Sequence, residues 1–554
     1  MLNFKRSREA RRWMGLFLAP ALLAAGKASG ADSTNAVNTA ASDPLLDLFV
    51  QKGFVTQEEA DKVKAEADAM ETNGAANYLP QPRWKLSDGL KQIQLFGDIR
   101  VRYEDRKATD PADNIIEQDR WRYALRFGIQ GDLVDNVYYG FRMETSANPR
   151  SPWVTLGQST SSTAYNGPFG KSTDTLALGQ AYIGWHPWDW VDVTLGKMSN
   201  PLYTTPMVWD SDINPEGAAE RLKYTVGEAD FFANFGQFLY NDFNPEQASA
   251  GFGLGLLPGE SGTGAGQNTD DIFMFAWQGG LNYHITPDLS AKIAATVYNY
   301  IGLRSSANTA GTSPYFGDPY VGEGSYYYSY YSSPGGSPGY AGYGNSTSLG
   351  GASSYNYTFN QVGVDKLLVI EIPFEINYKF KKVAVRLFGD GAYNLQGAQR
   401  AEEAQATYNY VVSQSVQPTL AHSFAAQTHD VKAYQIGIGI GSTNFVSGPS
   451  QGVVYGTSVG RHAWELRTYW QHIEQYSLDP NLIDSDFFEG RENMQGIYVA
   501  LAYAFTPNLI GTVRYGYASR INDQIGTGGS NQDTPWMNPI NRYSLLQVDA
   551  TVRF

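Results

Sequence analysis

Apolar and charged side chains alternate residue by residue along much of this 554-residue chain from Gln92 onward. In segment 92–104, QIQLFGDIRVRYE, the apolar residues fall on one parity and most polar and charged residues on the other, and segment 120–130 repeats the pattern. A period of two predicts β-strands that present one apolar face and one charged face. The final segment, Leu546–Phe554, alternates in the same way.

Short and long connections alternate between these predicted strands. Tight turns are expected at 131–136, 186–190, 226–228, 285–289, 380–382 and 505–509. Long polar stretches are expected near 105–118, 147–174, 199–218, 241–269, 302–363, 396–429, 476–493 and 521–540. This asymmetry is typical of transmembrane β-barrels, which have short turns at one end and long loops at the other.

We therefore expect an all-β membrane protein, an antiparallel transmembrane β-barrel over residues 91–554. The count is about 16 strands, with roughly 14 or 18 also compatible with an even number, because the seam near 443–459 is ambiguous. The stretch 315–357, dominated by Tyr, Gly, Ser and Pro, is expected to be loop rather than barrel.

The charged parity is expected to face the lumen, because Arg or Lys facing lipid costs about 2–4 kcal/mol at the bilayer midplane. A large soluble β-sandwich or β-helix would also alternate and remains an alternative. It would bury its apolar face rather than place aromatic rings near strand ends. Such rings are expected here at Trp121, Tyr139, Trp185, Phe380 and Phe505.

Composition excludes several other classes of protein. Only 17% of residues are charged, against about 25% in ordinary globular chains, while glycine supplies 58 positions and tyrosine 37. No run of about 20 apolar residues follows the N-terminal segment, which argues against a multi-span helical membrane protein. Cysteine is absent, so disulfides and thiolate metal sites are excluded.

Residues 1–30 have the pattern of a secretory signal peptide: a cationic start, the apolar stretch Trp13–Ala25 and a small-residue cleavage site at Ala28–Gly30. A signal anchor is the alternative, but a spanning helix needs about 17–25 apolar residues. Removing 1–30 leaves 35 basic and 54 acidic residues, a balance that would repel nucleic acid.

A flexible spacer at 31–42 and a helical hairpin at 43–72 are expected between this signal and the barrel. Asp43 and Pro44 fit the start of a first helix, and Thr56 and Glu59 have the spacing of a capping box for a second. The hairpin has too few apolar residues for its own core, so we expect it to dock or self-associate.

The order of four motifs resembles the putative porin family of Gram-negative outer membranes. These motifs are the helical prelude at 45–60, FGDIRVRYE as first strand at 96–104, GFRMETS as third strand at 140–146, and VWDSDINPEG after the fifth strand at 208–217. The resemblance implies a barrel in outer-membrane lipid and a C-terminal Phe554 that the barrel-assembly machinery reads as a signal. It also implies a homotrimer, for which the phenylalanine-rich segment 229–240 offers an apolar surface.

Six arginines share the charged parity of the first three strands, together with Asp98, Glu104 and Glu144. They are Arg100, Arg102, Arg120, Arg122, Arg126 and Arg142. Guanidinium groups stay charged at physiological pH, so a wall of them lining a pore would create a positive field. The alternative, that some of them pair with acids on neighbouring strands, is compatible with a pore and stays open.

The third long loop carries Asp210, Asp212 and Glu216. In general porins the corresponding loop folds inward, so the resemblance implies a constriction loop whose acidic rim faces the arginine wall. With Asn214, these residues also have the spacing that begins a calcium loop, but Pro215 replaces the required Gly. The six histidines show no metal-ligand spacing either, so neither a metal nor a cofactor is expected.

The sequence contains no glycine-rich phosphate loop and no nucleophile elbow, so we do not expect an enzyme. The leading hypothesis is a passive outer-membrane channel for small hydrophilic solutes or ions. The alternative is a surface-display or adhesin barrel that binds carbohydrate through its Tyr-rich loop. The channel ranks first because about sixteen strands leave room for water, whereas barrels of about eight have filled interiors.

Overall fold

The computed structural model describes residues 56, 89–111, 113–146, 151–157, 176–241, 272–301, 330–331, 339–340, 366–413, 426–443, 459–527 and 540–554. The expected signal peptide, spacer and helical hairpin lie outside these residues, apart from Thr56, and stay predictions.

Strands dominate the described chain. In chain order they are β1 (Leu90–Thr109), β2 (Ile115–Leu133), β3 (Val137–Thr145), β4 (Val154–Thr155), β5 (Leu176–Trp188), β6 (Val191–Lys197), β7 (Glu216–Val226), β8 (Ala229–Asn241), β9 (Ile272–Thr286), β10 (Leu289–Ile301), β11 (Tyr330–Tyr331), β12 (Gly339–Tyr340), β13 (Leu368–Glu371), β14 (Phe374–Phe380), β15 (Val383–Asn394), β16 (Lys432–Ser442), β17 (Trp464–Ile473), β18 (Met494–Ala504), β19 (Leu509–Arg520) and β20 (Arg542–Arg553). One helix, α1, spans Gly397–Ser413, and short 3-10 turns occur at Val134–Asn136 and Phe488–Gly490.

The sheet closes on itself as a barrel. Strand β1 pairs antiparallel with β20 in a register that places Val101 opposite Ala550 and Arg102 opposite Asp549. Strand β4 continues the ladder of β2 beyond the end of β3, and β13 and β14 are two halves of one strand, so the described residues form sixteen barrel strands. Closure leaves no edge strand unpaired, as spanning a membrane requires.

Pro373 explains the break between β13 and β14, because proline has no N–H to donate to the ladder. Its carbonyl still accepts a hydrogen bond from the Ala294 N–H at 3.1 Å. Beside it, Ile372 and Gly391 exchange hydrogen bonds at 2.8 and 3.3 Å, so the strand continues across the break. The short pair β11–β12 forms a separate two-stranded sheet, and these four residues of the Tyr-rich stretch are not part of the barrel.

The two faces follow the predicted alternation. On β1, Leu95 and Ile99 face outward with 68% and 48% of their surface exposed, while Asp98 and Arg102 face the lumen with 1% exposed. The apolar parity therefore forms the lipid-facing surface and the charged parity lines the interior, as expected.

The six predicted tight turns are confirmed, and all lie at the same end of the barrel, which we call the turn end. At Asp135 and Asn136 both φ angles are near +60°, and Gly227 also has positive φ. Two consecutive residues with positive φ match the twist of the flanking strands in a tight hairpin, which explains the Asp-Asn pair at this turn.

Several of the predicted loops contain short regular elements, such as β4 in 147–174 and β11 and β12 in 302–363, and two of them hold longer ones. The stretch 105–118 is mostly strand, because β1 continues to Thr109 and β2 begins at Ile115. Its polar Arg106 lies buried in ion pairs inside the barrel, which offsets the polarity that suggested a loop. In 396–429, α1 is rich in Ala, Gln, Glu and Arg, which are strong helix formers. No helix among the described residues has both the length and the apolar character needed to cross a membrane.

The main hydrophobic cluster lies inside the barrel, where two connections of the loop end, 198–215 and 474–493, fold inward. Trp209 of the first packs edge-on against Phe238 of β8, with ring centroids 6.0 Å apart. Phe487 of the second packs against Tyr498 of β18 at 5.3 Å. These apolar contacts hold both loops within the lumen.

Candidate functional site

The 198–215 loop leaves β6 and attaches to the far wall of the barrel. The Tyr203 N–H donates to the side-chain oxygen of Gln278 on β9 at 2.9 Å. The Thr204 hydroxyl donates to Glu371 on β13, and the next hydroxyl, of Thr205, donates to Asp390 on β15, each at 2.5 Å. The loop therefore crosses the interior, as the resemblance to porins implied.

This loop is anchored by two buried carboxyl groups, those of Glu371 and Asp390. Both side chains are buried, and neither takes part in an ion pair among the residues that the structure describes. Tyr298 donates a further hydrogen bond to Glu371 at 2.6 Å. A hydrogen bond in a dry interior is stronger than one in water, so these two contacts fix the position of the loop.

The 474–493 loop also enters the lumen, which the sequence had not indicated, and it meets the 198–215 loop there. The Asp484 N–H donates to the Pro206 carbonyl at 3.0 Å, and the Asp210 N–H donates to the Leu482 carbonyl at 2.5 Å. The Ser485 N–H and hydroxyl both donate to the Asp210 carboxylate at 3.0 Å. Two loops, rather than one, therefore narrow the pore.

Arg102 is the centre of the first charged cluster on the wall. Its guanidinium makes a bidentate contact to Asp549 on β20, at 2.7 and 3.0 Å, and donates to Asp486 of the 474–493 loop at 2.8 Å. Arg514 on β19 binds the same Asp549 carboxylate. Trp153 covers the Arg102 guanidinium, which lies 4.0 Å from the ring centroid, so Arg102 is buried, whereas Asp486 keeps 31% of its side chain exposed.

Glu104 is the centre of the second cluster. It accepts hydrogen bonds from Arg120 at 2.5 Å and Arg106 at 3.1 Å, and Arg122 lies 3.6 Å away. Arg106 also reaches Glu489 of the 474–493 loop at 3.2 Å. One buried carboxylate thus compensates part of the charge of several arginines, which makes this part of the wall rigid.

The third cluster joins the wall to the 198–215 loop. Arg126 donates to Asp212 at 2.7 Å and to Asp98 at 3.3 Å, and Arg100 donates to the same Asp98 at 2.9 Å. The remaining predicted arginine, Arg142, pairs with Glu144 on its own strand at 2.9 Å. All six arginines of the predicted wall therefore lie within 4.0 Å of a carboxylate.

The first and third clusters line a cavity of about 520 Å³ between the wall and the two loops, which we call the arginine cavity; the second cluster lies outside this lining. Among the described residues, its charged lining comprises Arg100, Arg102, Arg126, Arg142, Arg467, Arg514, Arg553, Asp98, Asp210, Asp212, Glu465, Asp484, Asp486 and Asp549. Arginines and carboxylates are equal in number, so the positive field expected of an arginine wall is largely compensated.

Sequence reasoning missed half of this lining. Asp484 and Asp486 lie in the long polar stretch 476–493, for which no inward fold was predicted, and Arg106 of the second cluster lies in a stretch assigned to a loop. Arg514 and Asp549 have the lumenal parity of β19 and β20, so extending the parity argument from the first three strands to the last two would have found them.

The three predicted loop acids separate in the structure. Asp212 reaches Arg126, but Asp210 is bound to Ser485 and to its own loop. Glu216 is the first residue of β7, where it faces outward and pairs with Lys197 at 2.6 Å, with 59% of its side chain exposed. The structure therefore brings Asp212 to an arginine, and it disperses the residues that had the spacing of a calcium loop.

Phe554 lies at the turn end, on the outward face of the closing seam. Its backbone exchanges hydrogen bonds with Gly97 at 2.9 and 3.1 Å. A Cβ atom at position 97 would lie 2.7 Å from the Phe554 ring, so the glycine makes room for the terminal aromatic side chain. The role of Phe554 as an assembly signal stays a prediction.

The pKa values of two acids in the 474–493 loop are shifted in opposite directions. Burial, together with the charge of Asp486, raises the pKa of Asp484 from 3.8 to about 7. Burial alone would also raise the pKa of Asp486, but the adjacent Arg102, Arg514 and Arg106 outweigh it and lower that pKa. Asp484 therefore changes charge near neutral pH while Asp486 stays ionised.

A comparison with curated protein sequences found no match. Among solved structures, the chain is similar to the outer-membrane-expressed OmpT of Vibrio cholerae, with 8% identity over 84% of this chain and 100% of that chain and a TM-score of 0.33. It is also similar to the anion-selective porin from Comamonas acidovorans, with 11% identity over 84% of this chain and 99% of that chain and a TM-score of 0.36.

Among family sequence models, the one described as Putative porin matches residues 105–554, which is most of the chain and nearly all of the barrel. This family comprises non-enzymatic channels of the outer membrane, in agreement with the closed barrel. The chain belongs to the Putative porin family and is an outer-membrane β-barrel porin.

Proposed function

We propose that the protein is a passive diffusion channel for small hydrophilic solutes or ions, with its constriction at the arginine cavity. The observation that carries this proposal is a polar cavity of about 520 Å³ that stays open between the wall and the two inward loops. Asp212 of the 198–215 loop and Arg100 of the wall keep about a fifth of their side-chain surface exposed there. Partly exposed, opposite charges at a narrow point are what a permeating solute meets.

Weak charge selectivity is expected because the arginines of the cavity are paired with carboxylates. A permeating ion responds mainly to charges within about 8 Å at physiological salt, and at least six of the seven arginines of the cavity lie within 4 Å of a carboxylate. Such a constriction filters by size and by dipole more than by the sign of the charge. The turn end faces the periplasm and the loop end the exterior, as in barrels of this class.

Single-channel recording in planar bilayers tests the channel and its constriction. The unmodified protein is expected to give an ohmic current with a reversal potential near zero in a salt gradient. Arg100→Ser is expected to shift the reversal potential toward that of a cation-selective pore. Asp212→Asn is expected to shift it toward that of an anion-selective pore. Glu216→Gln, which removes an acid that faces outward, is the matched control and is expected to leave it unchanged.

The absence of any current from folded, inserted protein would contradict the channel and favour a display barrel closed by its loops. An ohmic current that neither substitution shifts would keep the channel but place the constriction elsewhere.

We further propose that the outward faces of β7 and β8 contact a second copy of the chain, in a homotrimer. Glu220 accepts a hydrogen bond from Gln237 at 2.6 Å, and both residues lie on the outward parity, beside Phe235. An acid on this face is costly against lipid but is tolerated in a protein interface. Only the outward Phe231 and Phe235 are available to such a partner, because Phe232 and Phe238 point inward.

Light scattering in mild detergent is expected to give a trimer for the unmodified chain and a smaller species for Glu220→Lys. Glu117→Lys, which changes an exposed acid on the outward face of β2 near Lys107, serves as the control and is expected to stay trimeric. A monomeric unmodified chain would contradict the proposal.

A further inference from the structure

The tight turns of the barrel differ in charge. Four of the six carry Asp or Glu and neither Lys nor Arg: 131–136, 186–190, 226–228 and 285–289. The turn between β14 and β15 instead consists of two lysines, Lys381 and Lys382. At the next connection of the turn end, between β16 and β17, Arg461 lies three residues before β17 begins. We call Lys381, Lys382 and Arg461 the basic rim.

The charge of the basic rim is not compensated at short range. All three of its residues are exposed, and no ion pair within the described part of the chain includes any of them. The adjoining turn contributes one acid, Asp288, but a further lysine lies beside it, because the Lys379 N–H donates to the Asp288 carbonyl at 2.8 Å. The stretch 444–458 between β16 and β17 contains no charged residue. This sector of the turn end therefore has an excess of positive charge.

Aromatic rings on the lipid-facing side lie next to the basic rim at both of its edges. The Lys381 ammonium lies 5.5 Å from the ring centroid of Phe380, whose side chain faces outward with 57% of its surface exposed. At the other edge, His462 shares a hydrogen bond of 2.8 Å with the Tyr503 hydroxyl, and Tyr503 packs edge-on against the exposed Phe505 at 5.1 Å. Outward aromatic rings of a barrel mark the boundary between the hydrocarbon core and the headgroups. The basic rim therefore lies at the level of the lipid headgroups.

The lipid-facing surface between these two aromatic edges is aliphatic. Strands β15 and β16 place Val385 opposite Ile440 and Leu387 opposite Ile438. Leu387, Ile438 and Ile440 have 41%, 40% and 36% of their surface exposed. Neighbouring strands lie about 4.8 Å apart, so β14 and β17 enclose a strip of roughly 14 Å. We call this surface the aliphatic strip, and it offers acyl chains a smooth contact directly below the basic rim.

We propose that the basic rim and the aliphatic strip form a binding site for one anionic phospholipid of the leaflet at the turn end. The phosphate binds the cations of the rim, and the acyl chains lie along the strip between the aromatic rings. A zwitterionic phospholipid binds less tightly, because its own ammonium is repelled by the rim. The site does not rest on the proposed channel, since it lies on the outer surface of the barrel. It is also separate from β7 and β8, which the proposed trimer covers.

Native mass spectrometry of the whole protein in mild detergent, with added lipid, tests the site. The unmodified protein is expected to bind phosphatidylglycerol about tenfold more tightly than phosphatidylcholine with the same acyl chains, a difference of about 1.4 kcal/mol. A triple variant with Lys381→Gln, Lys382→Gln and Arg461→Gln is expected to lose this preference. The charge-keeping variant with Lys381→Arg, Lys382→Arg and Arg461→Lys is expected to retain it.

The matched control removes three exposed cations from the loop end instead of the turn end. It carries Lys107→Gln, Lys432→Gln and Arg542→Gln, so its net charge changes by the same amount. We expect it to bind phosphatidylglycerol as tightly as the unmodified protein.

Equal binding of the two lipids by the unmodified protein would overturn the proposal, and so would an equal loss of phosphatidylglycerol binding in the two triple glutamine variants. If the turn-end glutamine variant does not fold, the single variants Lys382→Gln and Arg461→Gln decide the question. Each should weaken phosphatidylglycerol binding, and unchanged binding in both would overturn the site. Lipid binding is measured without any current through the pore, so a failed channel and a failed lipid site give different results.

Discussion

The walls formed by β1 to β3 and by β7 to β10 handle charge in different ways. On the first wall every predicted arginine has a carboxylate partner, and Arg102 is buried beneath Trp153. On the second, Lys292 carries a similar charge but rests on two aromatic rings. The first wall is rich in cations that are paired at short distance, whereas the second has few cations, and its Lys292 lies opposite Glu375 on the neighbouring strand without a close ion pair among the described residues.

The difference teaches that the number of charges on a pore wall does not give its field. Removing an arginine from water costs several kcal/mol unless acids pair with it. A cluster of buried arginines is therefore stable only when carboxylates lie beside it. A lysine at the edge of an open cavity keeps part of its hydration, and its ammonium needs no full partner. Dense basic walls are therefore mainly structural, and isolated cations are the better candidates for solute contact.

The largest expected difference between the two walls is in the free energy of unfolding that a substitution costs. Replacing Arg102 by Met leaves the buried Asp549 and the partly exposed Asp486 with less compensation, so we expect a loss of about 3–5 kcal/mol. Lys292→Met removes no ion pair and should cost less than about 1 kcal/mol. Urea unfolding in lipid vesicles measures both, and equal losses would break the comparison.

The anchor of the 198–215 loop should show a smaller effect. Changing Thr204 and Thr205 to Val removes two hydrogen bonds to buried carboxyl groups, each worth about 1.5–3 kcal/mol if the carboxyl is charged. We expect a loosened loop, with larger and noisier current through the arginine cavity. Thr468→Val, at an outward position on β17, is the control. A double variant with unchanged current would show that the apolar contacts alone hold the loop.

The smallest effect should come from pH. The pKa of Asp484 is raised from 3.8 to about 7, so the folded state keeps a proton that the unfolded state loses. Stability should therefore fall as pH rises between these values, and above about 7 the new negative charge should move the reversal potential toward cations. Asp484→Asn should abolish that shift. A shift that persists in this variant would assign the titration to another group.

Much of the barrel could be predicted from the sequence, because strand structure in a bilayer follows local rules. Alternation identified the lumenal side of Arg102 and Arg126, and turn chemistry identified all six tight connections. The rules failed at Arg106, where polarity suggested a loop, because Glu104 on its own strand and Glu489 of the 474–493 loop together make a buried position favourable there.

What the sequence by itself determined is the barrel, its two faces and the alternation of turns and loops, because each depends on neighbouring residues and on the cost of charge in lipid. Only the tertiary structure decided which charges remain available in the pore. Arg102 meets Asp486 across 384 positions of the chain, and Tyr203 brings its ring to Lys292 across the lumen. Such pairings depend on how the sheet closes and where the loops settle, and no local pattern encodes either.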